Sequence, residues 1–434
     1  MKALAVVRIL IQDCGRQDKY AEVPKLMPDY CGIVHNPPDY RDGIGLYVHV
    51  PFCHTKCSYC DFNTYAGIES QMPGYVDALI SEISRWGELL DSPPVRTIFF
   101  GGGTPSYLPS TDLDRIVQSI NCEFKVESSA EVTLECNPGD VTDEKAEAWL
   151  GSGINRVSMG IQSFDDDLLE SLTRRHSSSD VYDSAELLRR AGLDNLSIDL
   201  IYGLPHQSFD QWSRTLSAAT ELGTEHISLY SLQIEEGTPL AVEVSSGRVP
   251  EPDDDLAADM YEHARDELPN AGLDQYEVSN WSKPGFEARH NVIYWKNEPY
   301  LGVGPGAHSW LANNRFANLR SPRQYGLIAL GSVTQGTESP VASMRHPEGP
   351  VDQIEVTTPE LDVSETMMMG MRLNEGVEFD RFVERFGKDV RQVFPAEFDR
   401  LTKLGLIESS QDSVRLTSRG TLLGNEVFAE FVGD

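Results

Sequence analysis

The chain has 434 residues, and its 68 acidic against 36 basic residues give a formal charge of −32. Its hydrophobic fraction of 40% is enough to bury a large core and a second, smaller one, which excludes disorder as the main state. The acidic balance disfavours broad nucleic-acid binding, because phosphate contacts need basic surfaces. No stretch approaches the ~18 apolar residues of a membrane-spanning helix, and no signal or transit peptide is recognisable. We therefore expect a cytoplasmic protein.

Residues 1–43 are rich in proline and aspartate without a period, and we expect a loosely held extension. Short apolar, β-branched runs then alternate with helical patterns. The predicted strands are 45–50, 96–100, 130–135, 155–159, 194–201 and 225–232. The predicted helices are 74–90, 110–121, 142–152, 178–192 and 208–222. This alternation specifies a parallel α/β sheet, and an open doubly wound sheet and a partial barrel both satisfy it.

Polar and glycine residues at the ends of the predicted strands favour the partial barrel, over residues 44–240. They are Cys53, Gly101 to Thr104, Glu135, Gly160 to Gln162 and Asp199. In α/β barrels the functional site is built at the carboxyl ends of the strands. Ordinary turn and cap preferences explain some of these positions, but not a cysteine cluster, a glutamate and a glutamine on one face.

The alternation stops near residue 240. Residues 241–355 are predicted to contain a polar linker at 245–256, a short helix at 257–268 and a segment dense in aromatics and glycine. Residues 356–434 follow a helix, turn, strand and helix pattern, which predicts a smaller winged-helix-like α+β domain. Because this domain is more acidic than basic, we interpret it as a packing or lid module rather than a DNA-binding one.

Three of the seven cysteines form a tight cluster, Cys53-x3-Cys57-x2-Cys60, directly after the first strand. Thiolates bind zinc or iron–sulfur clusters, and no fourth ligand follows at zinc-finger spacing. Three thiolates leave one iron of a 4Fe–4S cluster open to a cofactor. The other cysteines are predicted to be unligated thiols: Cys14, Cys31, Cys122 and Cys136.

The spacing and context of this cluster resemble the radical S-adenosylmethionine (SAM) superfamily. That resemblance implies a partial six-stranded (β/α) barrel, a 4Fe–4S cluster whose open iron chelates SAM, and reductive cleavage of SAM to a 5′-deoxyadenosyl radical. It also implies an electron donor such as a flavodoxin or ferredoxin.

The residues of the predicted barrel suit a cofactor that is held by its polar ends. In GGGTPS, bare glycine backbone allows close approach, and its N–H groups and Thr104 are candidate hydrogen-bond donors. Carboxylates at strand ends suit ribose hydroxyls. Position by position, the set resembles the SAM contacts of the family that includes oxygen-independent coproporphyrinogen III oxidase. It comprises Tyr47, Tyr59, Gly102, Gly103, Thr104, Glu135, Gln162, Arg174 and Asp199.

Two features separate branches of that family. The oxidase branch has a further cysteine two residues after the last ligand, where this chain has Phe62. Residues 290–295, HNVIYW, are similar to the signature of the HemW-type haem chaperones, which bind haem and pass it to acceptor proteins. On that resemblance His290 is the axial haem ligand, because neutral imidazole suits iron, and Tyr294 and Trp295 offer flat faces to the porphyrin. Without the motif, the better interpretation of His290 is a buried histidine whose hydrogen bonds are satisfied within the core. His308 is assigned no role.

Three functions of different classes remain compatible with the sequence. The first is a haem chaperone with a SAM-coordinating cluster that donates haem to respiratory or cytochrome-type acceptors, with no catalytic residue assigned. The second is an oxygen-independent coproporphyrinogen III oxidase. The third is a barrel that keeps the cluster only as a scaffold.

Overall fold

The structure is a computed structural model that describes residues 28–330 and 339–432. Residues 1–27 of the predicted extension lie outside the described residues. Residues 28–36 run along the C-terminal domain, where the backbone N–H groups of Val34 and Asn36 donate to the carbonyls of Phe386 and Arg385. Within the described ranges, no helix combines the length and apolar character needed to cross a membrane.

Six parallel strands and the helices between them confirm the predicted barrel core. The strands, with a small β2–β3 pair in the cysteine loop, are β1 (Ile44–Val50), β2 (Phe52–Cys53), β3 (Tyr65–Ala66), β4 (Pro94–Gly102), β5 (Lys125–Cys136), β6 (Arg156–Gln162), β7 (Leu196–Tyr202) and β8 (His226–Ser231). The helices are α1 (Met72–Leu90), α2 (Ser110–Glu123), α3 (Asp143–Gly151), α4 (Asp166–Ser171), α5 (Ser178–Ala191) and α6 (Phe209–Leu222). Strands β1, β4, β5, β6, β7 and β8 are neighbours in that order and pair in parallel.

Local chemistry explains why the helix boundaries were predictable. Helices α5 and α6 each begin with a capping box, in which Ser177 or Ser208 exchanges hydrogen bonds with the third helical residue. Both helices end at a glycine in the left-handed region, Gly192 or Gly223. Their apolar residues face the sheet and join the main core.

The segment expected to contain a linker and the haem motif adds strands to both edges of the same sheet. Its elements are α7 (Pro239–Ser245), α8 (Asp254–Glu267), β9 (Asp274–Glu277), β10 (Asn280–Ser282), α9 (Arg289–Trp295), β11 (Tyr300–Val303), β12 (His308–Leu311), β13 (Asn314–Asn318), α10 (Pro322–Ala329), α11 (Pro340–Ser343) and β14 (Val351–Val356). Strand β10 pairs antiparallel with β8, while β11 pairs in parallel with β1 and continues into β12, β13 and β14. The β8 edge is therefore extended by a hairpin, and the sheet stays open rather than closing on itself.

The C-terminal residues form the predicted smaller domain around their own apolar core. Its elements are α12 (Pro359–Gly370), β15 (Val377–Glu378), α13 (Phe379–Phe386), α14 (Val390–Val393), α15 (Pro395–Lys403), β16 (Ile407–Ser409), β17 (Ser413–Leu416), α16 (Ser418–Leu422) and α17 (Gly424–Ala429). A buried ion pair between Asp362 and Arg385 anchors it, because Asp362 also accepts from Asn297 of the sheet-bearing part. The domain is thus held on the barrel by charged, hydrogen-bonded contacts and by an apolar cluster in which Trp295 and Trp310 join Met369 and Leu373.

Candidate functional site

One cavity of about 360 Å³ is lined by every residue that the sequence predicted for the site. It opens at the carboxyl ends of the barrel strands and reaches between the strands toward helix α9. The predicted residues that line it are Tyr47, Cys53, Cys57, Tyr59, Cys60, Gly102, Gly103, Thr104, Glu135, Gln162, Arg174, Asp199, His290, Tyr294 and Trp295. Residues far apart in the chain therefore line one cavity.

The three clustered thiols lie in the loop that leaves strand β2. The Thr104 hydroxyl donates to Cys53 Sγ at 3.6 Å, and Arg174 Nη1 donates to Cys57 Sγ at 3.4 Å. Burial raises the pKa of the Cys53 and Cys60 thiols. Hydrogen bonds to sulfur from Thr104 and Arg174 favour the thiolate form that metals bind.

The donor set fits an iron–sulfur cluster better than a single ion. In the described part of the chain, no group of three His, Cys, Asp or Glu side chains could hold one metal ion. In a 4Fe–4S cluster each thiolate binds a different iron, so the ligands need not converge on one point. Cys53, Cys57 and Cys60 are cavity-lining thiols on one loop, and they suit such a cluster.

The cysteine loop is held by the glycine-rich loop between β11 and β12. Asn63 Nδ2 donates to the carbonyls of Pro305 and Arg320, and a Cβ on Gly306 would overlap that amide. His49 bridges Tyr47 and Asn63: its Nε2 donates to the Asn63 carbonyl and its Nδ1 accepts from the Tyr47 hydroxyl, each at 3.0 Å. The GVGPGAH segment therefore packs against the cysteine loop.

The glycine segment after β4 differs from the expectation in one respect. The N–H groups of Gly103 and Thr104 donate to the carbonyls of Val50 and Phe52, and that of Gly102 donates to Glu135 Oε2. These amides are therefore engaged within the protein, so the expected donation by these N–H groups to a ligand is wrong. A Cβ at Gly102 would overlap the His49 ring, so glycine is required here for close packing of the strands.

Gln162 and Arg174 lie where the backbone of β6 is irregular. Gln162 has a φ of +66°, next to a register shift against β7, and such strained residues cluster at functional sites. Arg174 donates to Asn137 Oδ1 at 2.8 Å and to the Gly160 carbonyl, while its Nε has no partner in the described part of the chain. Asp199 is buried at the neighbouring position of β7. These strand-end groups surround the cavity.

His290 is fully buried, and both of its ring nitrogens are hydrogen-bonded. Nδ1 lies 2.7 Å from Thr97 Oγ1 and Nε2 lies 2.8 Å from the Tyr294 hydroxyl. The Glu131 carboxylate accepts from the His290 backbone N–H, and Phe99 stacks on the ring. Burial lowers the pKa of His290 to about 3, so the ring is neutral near pH 7, as a metal ligand must be.

Several cavity residues were not predicted from the sequence, because no motif marks them. Arg156, Glu277, Asn280 and Arg372 line the cavity beside helix α9. Cys136 also lines it, whereas Cys31 and Cys122 are exposed and Cys14 lies outside the described residues. Alternate residues of a strand face the same side, so the sequence could have indicated that Arg156 shares one face of β6 with Ser158 and Gly160.

Comparison with known proteins agrees with this architecture. Residues 47–219 match the Radical SAM superfamily and residues 358–423 match the HemN C-terminal domain. The Escherichia coli coproporphyrinogen III oxidase HemN, a radical SAM enzyme, superimposes with a TM-score of 0.75 at 20% identity, covering 91% of this chain and 90% of that one. The fold and the three-thiol cavity thus define a protein of the radical SAM class with a HemN-like fold.

Sequence relatives identify the branch within that class. The chain is 38% identical to the haem chaperone HemW of Bacillus subtilis over 89% of this chain and 99% of the relative. It is 35% identical to HemW of Mycobacterium tuberculosis over 90% of this chain and 95% of the relative. The chain therefore belongs to the HemW family of haem chaperones.

Proposed function

We propose that this chain binds haem beside helix α9 and transfers it to acceptor proteins, with a 4Fe–4S cluster and SAM at the carboxyl edge of the barrel. The observation that carries this proposal is the single cavity lined both by the three thiols and by the HNVIYW helix. Cys53 follows the carboxyl end of β1, whereas His290 packs against Gly45 near its amino end. The cavity therefore has two ends with different chemistry.

At the cluster end, the three cysteines would hold the cluster, and the cluster with SAM supplies one-electron reductive chemistry when bound. Thr104 and Arg174 donate to two of the thiol sulfurs. Glu135, Gln162 and Asp199 offer polar groups for the ribose and amino-acid parts of SAM. The side chains that orient these sulfurs are already in contact with them.

At the haem end, His290 Nε2 is the candidate ligand atom. The Thr97 hydroxyl on Nδ1 orients the imidazole, as an outer hydrogen bond does for most metal-bound histidines. Iron can reach Nε2 only when the Tyr294 hydroxyl separates from it. Haem binding in this proposal therefore includes a movement of the Tyr294 side chain away from His290.

The alternative, an oxygen-independent coproporphyrinogen III oxidase, is supported by the HemN-like fold. Fold alone does not carry an activity, and Phe62, which lines the cavity, stands where the oxidase branch has a cysteine. Porphyrin formation from coproporphyrinogen III by the SAM-loaded, reduced protein would favour this alternative.

The test is an anaerobic haem titration of the cluster-reconstituted protein, followed by the Soret band. His226 is a matched control for His290, because it is also fully buried with ring nitrogens bonded to a serine and a tyrosine hydroxyl, at 2.8 and 2.9 Å. We expect His290→Ala to weaken haem binding at least about tenfold and His226→Ala to leave it unchanged. Equal affinity in wild type and His290→Ala, or no haem binding by the wild type, contradicts the proposal.

The partners and the compartment stay predictions from sequence. They are a haem-acceptor protein of the respiratory or cytochrome type, an electron donor such as flavodoxin or ferredoxin, and a cytoplasmic location. Anaerobic transfer of haem from the loaded protein to apo-cytochrome, followed by the spectrum of the acceptor, tests the first of these.

A further inference from the structure

Buried polar atoms with no hydrogen-bond partner among the described residues line the cavity near helix α9. They are Arg156 Nε, Asn280 Oδ1, Trp295 Nε1 and Arg372 Nε. Most buried polar groups in folded proteins are hydrogen-bonded to protein or to ordered water, so several such atoms around one cavity indicate that polar molecules bind there. None of the four belongs to the set predicted for SAM.

Arg156 is the most unusual of these groups. Its side chain points from β6 into the cavity and is 2% exposed. No carboxylate of the described residues lies within ion-pair distance of its guanidinium. Burying an unpaired charge costs several kcal/mol, and a bound anion would remove that cost. The position therefore favours an anionic ligand.

Arg372 approaches the same region from the C-terminal domain. Its guanidinium carbon lies 4.4 Å from the centre of the Trp295 ring, and its Nη2 lies 3.4 Å from both Glu277 Oε2 and Ser279 Oγ. Glu277 is completely buried, and burial raises its pKa. Glu277 therefore pairs with Arg372, and it leaves the Arg156 guanidinium without a carboxylate partner among the described residues.

We propose that Arg156 and Arg372 form a carboxylate-binding subsite that holds the propionate groups of the porphyrin. This inference rests on the proposed haem function, because haem carries two such carboxylates. Guanidinium groups bind carboxylates through paired N–H donors. The methionine carboxylate of SAM has the same chemistry, but the subsite lies beside helix α9, away from the three thiols. The ring stacking of Trp295 links Arg372 to the HNVIYW motif.

The experiment compares haem with haem dimethyl ester, in which both carboxylates are masked, by anaerobic Soret titration of the reconstituted protein. We expect the wild type to bind the ester at least about tenfold more weakly than haem. Arg156→Gln and Arg372→Gln should lose about tenfold in haem affinity but bind the ester as the wild type does. Arg289→Gln is the control, because this exposed arginine precedes His290 on the same helix and donates to the Ser129 carbonyl outside the cavity.

Two further readouts separate a ligand-binding role from a structural one. Arg156→Gln should melt at the same or a higher temperature in the ligand-free protein, because it removes an unpaired buried charge. SAM affinity should be the same in both variants as in the wild type.

Each other outcome overturns the subsite. Equal binding of haem and ester by the wild type overturns the subsite but not the proposed haem binding. Equal weakening of both ligands in the variants, or a lower melting temperature of Arg156→Gln, indicates a packing role. Loss of SAM affinity with unchanged haem affinity assigns the arginines to SAM. Absence of haem binding by the wild type refutes the proposed function and the subsite with it.

Discussion

The hydrogen bond between His290 and Tyr294 provides a sharp test of how haem reaches its ligand. The Tyr294 hydroxyl lies 2.8 Å from His290 Nε2, and both residues are buried. Tyr294→Phe removes only this hydroxyl and keeps the ring, whose edge-on contact with Tyr300 has a centroid distance of 4.6 Å. The substitution therefore changes one polar contact with little change in packing.

The expected magnitude follows from that contact. An unsatisfied buried polar atom costs about 1–3 kcal/mol, so the free energy of unfolding of the ligand-free variant should fall by that amount. In the wild type, iron coordination by Nε2 breaks this hydrogen bond, whose typical net value is about 1 kcal/mol. The variant has no such bond to break, so haem binding does not carry this cost. Haem should bind Tyr294→Phe about fivefold more tightly, because about 1.4 kcal/mol corresponds to a factor of ten.

The assay pairs urea unfolding with anaerobic haem titration. Tyr276→Phe is the matched control, because Tyr276 lies 2.9 Å from His226 Nε2, and neither of these two residues lines the cavity. Both variants should lose stability, and only Tyr294→Phe should gain haem affinity. Weaker haem binding by Tyr294→Phe would show that the hydroxyl supports haem rather than covering its ligand, and would refute this reasoning.

Three other predictions concern the scaffold. Gly102→Ala should lower the free energy of unfolding by about 2 kcal/mol or more, because the added Cβ overlaps a histidine ring and the backbone φ of +112° is strained for alanine. Gly272→Ala is the control for the backbone strain alone, because its φ is also positive and open space surrounds it. Asp362→Ala should cost about 3–5 kcal/mol in urea unfolding by leaving the buried Arg385 unpaired, whereas Asp399→Ala, in an exposed pair, should cost less than about 1 kcal/mol. The melting temperature should fall as the pH drops from about 6.5 towards 4, because burial lowers the pKa of four histidines and the unfolded chain then binds more protons than the folded one. The pKa is about 4 for His49 and His176, about 3 for His290 and well below its usual value for His226. A melting temperature that does not change between about pH 6.5 and pH 4 would contradict this pH dependence.

Much of the fold was predictable because local patterns carry it. Helix α5 was predicted at 178–192 and observed at Ser178–Ala191, since a capping box and a terminal glycine mark its two ends. The six barrel strands were predictable from apolar runs at regular intervals. The edge strands β9 to β14 were not, because short strands of three to six residues carry little periodicity and their pairing depends on distant neighbours.

The sequence by itself determined the class of chemistry, since thiol spacing, the strand-end polar residues and the HNVIYW motif are all local. Only the tertiary structure decided that these groups share one cavity, because parallel pairing of β11 with β1 brings helix α9 under the barrel. It also decided that the amides of Gly102 to Thr104 are engaged internally and that both nitrogens of His290 are bonded. The convergence of Arg156 and Arg372 has the same origin: burial and charge pairing depend on which chain segments meet in space, and local sequence does not encode that meeting.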